Sequence, residues 1–283
     1  MRILHRAIPV LLLIAIVTMI SFTSGCGYLR LVMAKDKLNQ GVICFNQGKN
    51  RCAQDFFKRA LDYDPESAIA HLYYGATLVR EYQEVENPEK KKQMAGEALK
   101  IYEQALALSQ ENCRNKDNAL LYIAAIYDDL GNREENRKWL LKRAEDSCSP
   151  PQVKSRMYHA VAVQYWNCSF AQTQRFKDPK LFAKDPFHYR NMDYPEALPL
   201  KKEAEACTAE GLKYIERAIE QDPDFSDSLF YKGLLYREMQ YLTKDVPKRR
   251  EYGQIAERLN NQASEMRKRQ EAEAKLKAPP PSS

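Results

Sequence analysis

Histidine, tryptophan and glycine are scarce in this chain of 283 residues, with four, two and ten copies. His5 lies near the start, His71, His159 and His188 are far apart, and no two share metal-ligand spacing. The sequence contains no G-x-S-x-G, H-E-x-x-H or C-x-x-C, so nucleophilic, zinc and dithiol redox chemistries have no signature. GVICFNQGK at 41–49 has the glycines and lysine of a phosphate loop at the wrong spacing, with Asn50 where the hydroxyl belongs. Asp128 and Asp129 are adjacent, and adjacent helical residues diverge by about 100°, so they read as solvated helix-end charges rather than a paired acid and base. Few glycines and 29% charged residues argue against a turn-rich β protein. The net charge of +6 comes from interleaved residues of both signs, without the one-sided basic face that nucleic acid requires. Lys90–Lys92 and the PKRR run at 247–250 read either as solvated helix faces or as contacts for anionic headgroups.

What the chain does have begins at its start. Arg2 and Arg6 precede an uncharged run from Ala7 to Phe22, which is followed by the small residues Thr23, Ser24 and Gly25 and then Cys26. The run is sixteen residues long, short of the roughly 20 that span a bilayer, so the order of parts predicts a cleaved export signal. Thr23-Ser24-Gly25-Cys26 resembles a bacterial lipobox, although Thr23 stands where leucine is usual. The resemblance implies that residues 1–25 are removed and that Cys26 carries a covalent lipid, the one non-protein group expected. An ordinary secretory signal with an incidental Cys26 is the alternative. Gly27 rather than Asp after Cys26 favours the outer membrane under the enterobacterial sorting pattern. Residues 26–33 then read as a lipidated tether.

Downstream, a pattern recurs. Ala53, Phe57 and Ala60 stand at i, i+4 and i+7 on one helix face, and Pro65 closes the unit. Gly211, Ile215, Ala218 and Pro223 repeat those offsets, and Pro65 and Pro223 each precede a glycine by ten residues, Gly75 and Gly233. This spacing resembles the tetratricopeptide repeat, a 34-residue helix-turn-helix unit. The resemblance covers most of residues 34–260. It implies an all-α fold: a solenoid of about four to five antiparallel helical hairpins over 34–270, with a long insertion in the fourth and a C-terminal capping helix. The second unit carries Gly75 and Leu78, then Ala98, Tyr102 and Ala105. The third carries Ala124 and Tyr127, then Leu140 or Leu141, and the fourth Ala162 and Tyr165, then Gly211, Ile215 and Ala218. The last begins at Ser226, and the polar segment from about Pro247 to Arg269 replaces its second helix as a cap. About eleven extra residues in the second and last units are expected to prolong the first helix before a proline starts the next. The insertion, about 167–206, is rich in aromatics and reads either as functional or as folded back onto the array. Residues 271–283 read as a disordered tail.

With Cys26 set aside, six cysteines remain, an even set that an oxidising compartment can pair. Residues equally far before and after a hairpin turn face one another, so the repeat register pairs Cys44 with Cys52, Cys113 with Cys148, and Cys168 with Cys207; for Cys44, which occupies a core slot, the equal alternative is a small buried hydrophobe.

The resemblance further implies protein recognition rather than catalysis, with first helices lining a groove. By register the lining residues are Phe45, Asn46, Val79, Arg80, Trp166, Asn167, Arg237 and Glu238; Trp166 has an equal alternative, packing under its own insertion. The lysine and asparagine pattern that clamps C-terminal carboxylates in chaperone-binding members is missing, since Leu38 and Val42 stand where it would begin. The sequence therefore points to a non-enzymatic scaffold or adaptor lipoprotein of the bacterial cell envelope, facing the periplasm. Its expected partners are proteins or peptides of the envelope and, through the anchor, a membrane. The alternative is a permanent accessory subunit docked through its aromatic insertion.

Overall fold

Side-chain caps set the starts of several helices among the described residues. The structure, a computed structural model, describes residues 27–174 and 198–277, and among these all regular structure is helical. In chain order the helices are α1 (residues 27–46), α2 (Asn50–Tyr63), α3 (Ala68–Gln83), α4 (Pro88–Ala107), α5 (Cys113–Asp129), α6 (Arg133–Glu145), α7 (Pro151–Gln174), α8 (Leu198–Gln221), α9 (Ser226–Leu242) and α10 (Val246–Lys277). They fall into two compact units divided after Gly131, with α1 to α5 in the first and α6 to α10 in the second. The leader, Cys26, the insertion's aromatic core and residues 278–283 lie outside the described residues.

In the first unit, α1 and α2 turn on Gly48, whose φ of +73° suits glycine, the residue without a Cβ to clash there. Ser67, Asn87 and Asn112 cap α3, α4 and α5 by accepting from the backbone N–H three residues on, and Pro88 occupies the first turn of α4. Ala53, Phe57 and Ala60 of α2 are buried, as are Ala98, Tyr102 and Ala105 of α4. In each hairpin the large ring of this triplet lies against a glycine of the first helix. A Cβ built on Gly41 would meet the Phe57 ring at 2.4 Å, and one on Gly75 would meet the Tyr102 ring at 2.8 Å. The repeat spacing thus encodes a ring-on-glycine contact that brings the two helices close.

In the second unit, α7 pairs with α8 and α9 with α10. Ala162, Ile215 and Leu235 share one apolar cluster, with Trp166, Leu212 and Tyr231 packed around it. Cys168 is bonded to Cys207, as Cys44 is to Cys52 in the first unit, with Cα atoms 6.0 and 5.8 Å apart. Cys113 and Cys148 are disulfide-bonded as well. Helices approach this closely at Cys168 because Ser169, Ala204 and Thr208 are small and Gly211 offers no side chain to the seam.

Three boundaries differ from the sequence reading, and the capping helix takes a further role. The expected C-terminal capping helix is α10, and it completes the last hairpin as its second helix: Ala256, Asn260 and Ala263 repeat the triplet spacing, and Asn260 Oδ1 packs on Gly233 where the first two units place a ring. Asparagine in the ring position hid the repeat triplet from an apolar pattern. Residues 167–174 and 198–206 continue α7 and α8 instead of belonging to an insertion, because Ser169, Thr173, Ala204 and Thr208 are small enough to bury between them. Residues 27–33, read as the tether, are helical and begin α1, and residues 271–277 prolong α10 instead of starting a tail. In α6, Leu140 takes the ring position, with Asn136 and Arg143 buried where alanines stand elsewhere. Gln164 donates to Asn136 Oδ1, and Arg143 Nη1 lies 3.6 Å from Met157 Sδ, which is how polar groups are tolerated in those places.

Candidate partner-binding groove

Three first helices of the first unit, α1, α3 and α5, border an open cavity of about 610 Å³. Its floor is aromatic and aliphatic. Tyr73 of α3 stacks on Phe57 at 5.3 Å and meets Phe45 of α1 edge-on at 6.1 Å, while Ile69, Leu72 and Ala76 extend the same face. Tyr122 of α5 stacks on Tyr102 at 5.1 Å. Both rings at the cavity wall are therefore seated on the two rings that fill the hairpin seams, so the core fixes their orientation.

The opposite wall is polar. Asn112, Asn115 and Asn118 recur at every third residue along α5, and Arg114 stands beside them. Asn112 Oδ1 accepts from the Asn115 backbone N–H at 3.0 Å, which caps α5 and fixes the first of the three amides. Among the described residues, the side chains of Arg114, Asn115 and Asn118 have no intramolecular partner. A stripe of amides can both donate to and accept from a peptide backbone, and a guanidinium can grip a carboxylate. The pairing of a hydrogen-bonding wall with an aromatic floor suits an extended polypeptide carrying apolar side chains.

Ion pairing keeps α5 in place. Lys91 of α4 binds Asp129 at 3.2 Å, and the Tyr82 hydroxyl of α3 is pushed up to about 12 by burial, with Asp129 beside it adding to the effect. Asp129, expected in solvent, thus joins three helices, and Lys91 of the basic run is committed to the fold.

Of the sequence-selected lining residues, Phe45 borders the cavity. Arg80 lies with its guanidinium 3.5 Å from the Phe45 ring centre and donates to the Phe45 carbonyl at 3.1 Å, clamping that edge. Asn46 is exposed beside it and Val79 is half-buried. In the second unit the selected residues diverge. Trp166 is wedged between Phe170 at 5.0 Å and Tyr231 at 5.5 Å, Asn167 is exposed, and Arg237 donates to Gln240 at 2.7 Å. Glu238 corrects the register: it is only 2% exposed, accepts from Thr173 at 2.9 Å and from Ser169 at 3.4 Å, and faces the protein interior. The register that places a lining residue beside Arg237 fails because small hydroxyl side chains on α7 open a polar seam into which the carboxylate turns. Sequence reasoning missed Tyr73 and the asparagine stripe, although the three-residue spacing of Asn112, Asn115 and Asn118 was there to be read.

His71 is buried with Nδ1 3.0 Å from the Ser67 carbonyl. His159 lies 3.2 Å from Ser228 Oγ, between Phe225 and Tyr231, and burial holds its imidazole below the usual histidine range, with Asp227 opposing. Among the described residues no cluster of histidine, cysteine or carboxylate side chains is placed to hold a metal, and no helix is long and apolar enough to cross a membrane.

The ring-on-glycine seams and the groove bordered by first helices define, among the described residues, an all-α fold of antiparallel helical hairpins that resembles a tetratricopeptide solenoid. Over 103 residues, 36% of its length, the chain is 30% identical to a TPR repeat-containing protein of Dictyostelium discoideum, and the match spans 36% of that relative. No family profile matches the chain. Among solved structures it is similar to YrrB, a TPR protein with an unusual peptide-binding site, with 16% identity, 81% and 90% of the two chains covered and a TM-score of 0.42. It is also similar to MamA of Desulfovibrio magneticus (12%, 84% and 97%, TM-score 0.47) and to PilF of Pseudomonas aeruginosa (18%, 83% and 78%, TM-score 0.42).

Proposed function

We propose that this chain is a non-catalytic scaffold that holds an extended segment of a partner protein in the groove between α1, α3 and α5. The observation that carries the reading is the wall of Arg114, Asn115 and Asn118, whose polar groups face an aromatic floor with no partner of their own among the described residues. The cap fixes the backbone that carries the amides, so binding has only their side chains to order. The finer reading is an outer-membrane lipoprotein, tethered through Cys26 and facing the periplasm, that helps to assemble or hold an envelope complex. The charged start, uncharged run and small residues before Cys26 support the tether, and six disulfide-bonded cysteines suit an oxidising compartment.

Photo-crosslinking tests the groove. A benzophenone side chain at Tyr122 should trap a partner that the same group at Lys100, exposed on α4, does not trap, and Asn115→Ala with Asn118→Ala should abolish the adduct. Equal adducts from both positions, or an adduct indifferent to the asparagines, would exclude the groove as the contact. Metabolic labelling with a palmitate analogue, lost on Cys26→Ala, tests the tether separately.

A further inference from the structure

The first two turns of α1 present an apolar arc to solvent. Tyr28 is 73% exposed, Leu29 63%, Leu31 55% and Val32 45%. At about 100° per residue these four side chains span roughly 160° of the helix circumference, with Arg30 diametrically opposite. Arg30 Nη2 donates to the Asp62 carbonyl near the end of α2 at 3.1 Å, and Ala34, on the same side as Arg30, is buried. The rotation of α1 is therefore fixed by its packed side, and the apolar arc is held outward by the fold. Over the next two turns the exposed positions of the same side are polar, Lys35, Asp36 and Asn39, before Ile43. From Tyr28 to Val32 the apolar tip rises about 6 Å at 1.5 Å per residue, within the roughly 5–10 Å to which interfacial helices enter a bilayer.

We propose that this arc is a lipid-contacting tip, inserted at the surface of the bilayer to which the chain is tethered; the proposal rests on the tethered reading above. Chain length selects the occupant. The uncharged run ends at Phe22, and the five residues between it and Tyr28 reach no further than about 20 Å when fully extended. Any bilayer that takes up the run or a lipid on Cys26 therefore lies within reach of the tip. Tyr28 has the apolar body and polar end that favour a headgroup layer, and Lys35 borders the apolar patch where anionic headgroups would meet it. The tip also sets orientation: with the α1 axis directed into the surface, the Phe45 end of α1, at the groove, points away from the membrane.

Tryptophan quenching in the full chain tests this. Leu31→Trp and Ile43→Trp place a new indole on the same side of α1, about 18 Å apart along its axis. Each variant is incorporated into vesicles of phosphatidylethanolamine and phosphatidylglycerol with brominated acyl chains, and the parent signal from Trp139 and Trp166 is subtracted. The Leu31→Trp indole should shift to the blue and lose most of its emission, while the Ile43→Trp indole keeps its own. If the protein floats with the vesicles and the Leu31→Trp emission is unquenched, the tether stands and the lipid-contacting tip is wrong. A blue shift without quenching means that protein, such as a second copy of the chain, covers the arc, and it overturns the proposal. Failure to float removes the tether and the tip together.

Discussion

Replacing Gly75 with alanine and replacing Gly96 with alanine are the same chemical change in two helices, yet they should move stability in opposite directions. Alanine in a helix interior gains about 0.5–1 kcal/mol over glycine, because the unfolded chain has less freedom to lose. Nothing lies within 4 Å of a Cβ built on Gly96, so Gly96→Ala should realise that gain. At Gly75 the new methyl would stand 2.8, 2.9 and 3.0 Å from three carbons of the Tyr102 ring. Ordinary contact begins near 3.4 Å, so the ring or α3 must give way by several tenths of an ångström. Tyr102 has little room to move, since it is fully buried and stacked on Tyr122 at 5.1 Å. Overpacking of this kind costs about 1–3 kcal/mol, which outweighs the helix gain and leaves Gly75→Ala destabilised by about 1–2 kcal/mol. Gly41→Ala, whose Cβ meets Phe57 at 2.4 and 2.5 Å, should lose more. Thermal unfolding followed by circular dichroism reads the difference, at about 2–4 °C per kcal/mol for a chain of this size. If Gly75→Ala and Gly96→Ala raise the midpoint equally, the ring-on-glycine seam is not what brings the hairpin helices together.

The Tyr102 hydroxyl is buried without a hydrogen-bond partner, so Tyr102→Phe should stabilise the protein by about 1 kcal/mol, measured as a higher urea midpoint at unchanged slope. Burial depresses His159, so the folded state holds it neutral while the unfolded chain takes up a proton near pH 6.5; stability should fall as the pH drops from about 7 to about 5, and His159→Gln should flatten that part of the urea-midpoint profile. The two assigned disulfides close loops with separations of 39 and 8 residues, and chain entropy puts their removal at about 4 and about 2.5 kcal/mol. The Cys168→Ser, Cys207→Ser variant should therefore melt below the Cys44→Ser, Cys52→Ser variant, and the reverse order would refute loop closure as the source of the effect.

The repeat was legible in the sequence wherever its seam is filled by hydrocarbon. Ala53, Phe57 and Ala60 or Ala98, Tyr102 and Ala105 show in an apolar pattern because burial and hydrophobicity coincide there. Where polar groups take the same places, pattern and position part company. Asn136 and Arg143 sit in alanine positions with partners on α7 that only the folded chain supplies, and this is why the third unit reads loosely. The groove was half legible for a related reason. Register alone reached Phe45, but the asparagines on α5 belong to no repeat pattern, since their task is to be left over after the helix is built. Glu238 went wrong because the register assumes a uniform helix face, whereas Ser169, Thr173 and Thr208 make one polar seam inside the second unit.

Glycine carries the repeat further than the apolar triplet does. Gly75 and Tyr102 are 27 residues apart, and so are Gly233 and Asn260, although one partner is a ring and the other an amide. Gly41 and Phe57 make the same contact at a separation of sixteen, eleven fewer, which matches the extra residues before Pro88 and Pro247 in the longer units. The added length is absorbed between the helices, and the glycine contact keeps its place. A backbone position that tolerates no Cβ constrains the approach of two helices whatever fills the space opposite, so it persists at the end of the array, where the outer side of α10 faces water and a large ring is no longer needed. The last unit is thus a complete hairpin whose second helix carries an amide where the first two units carry a ring.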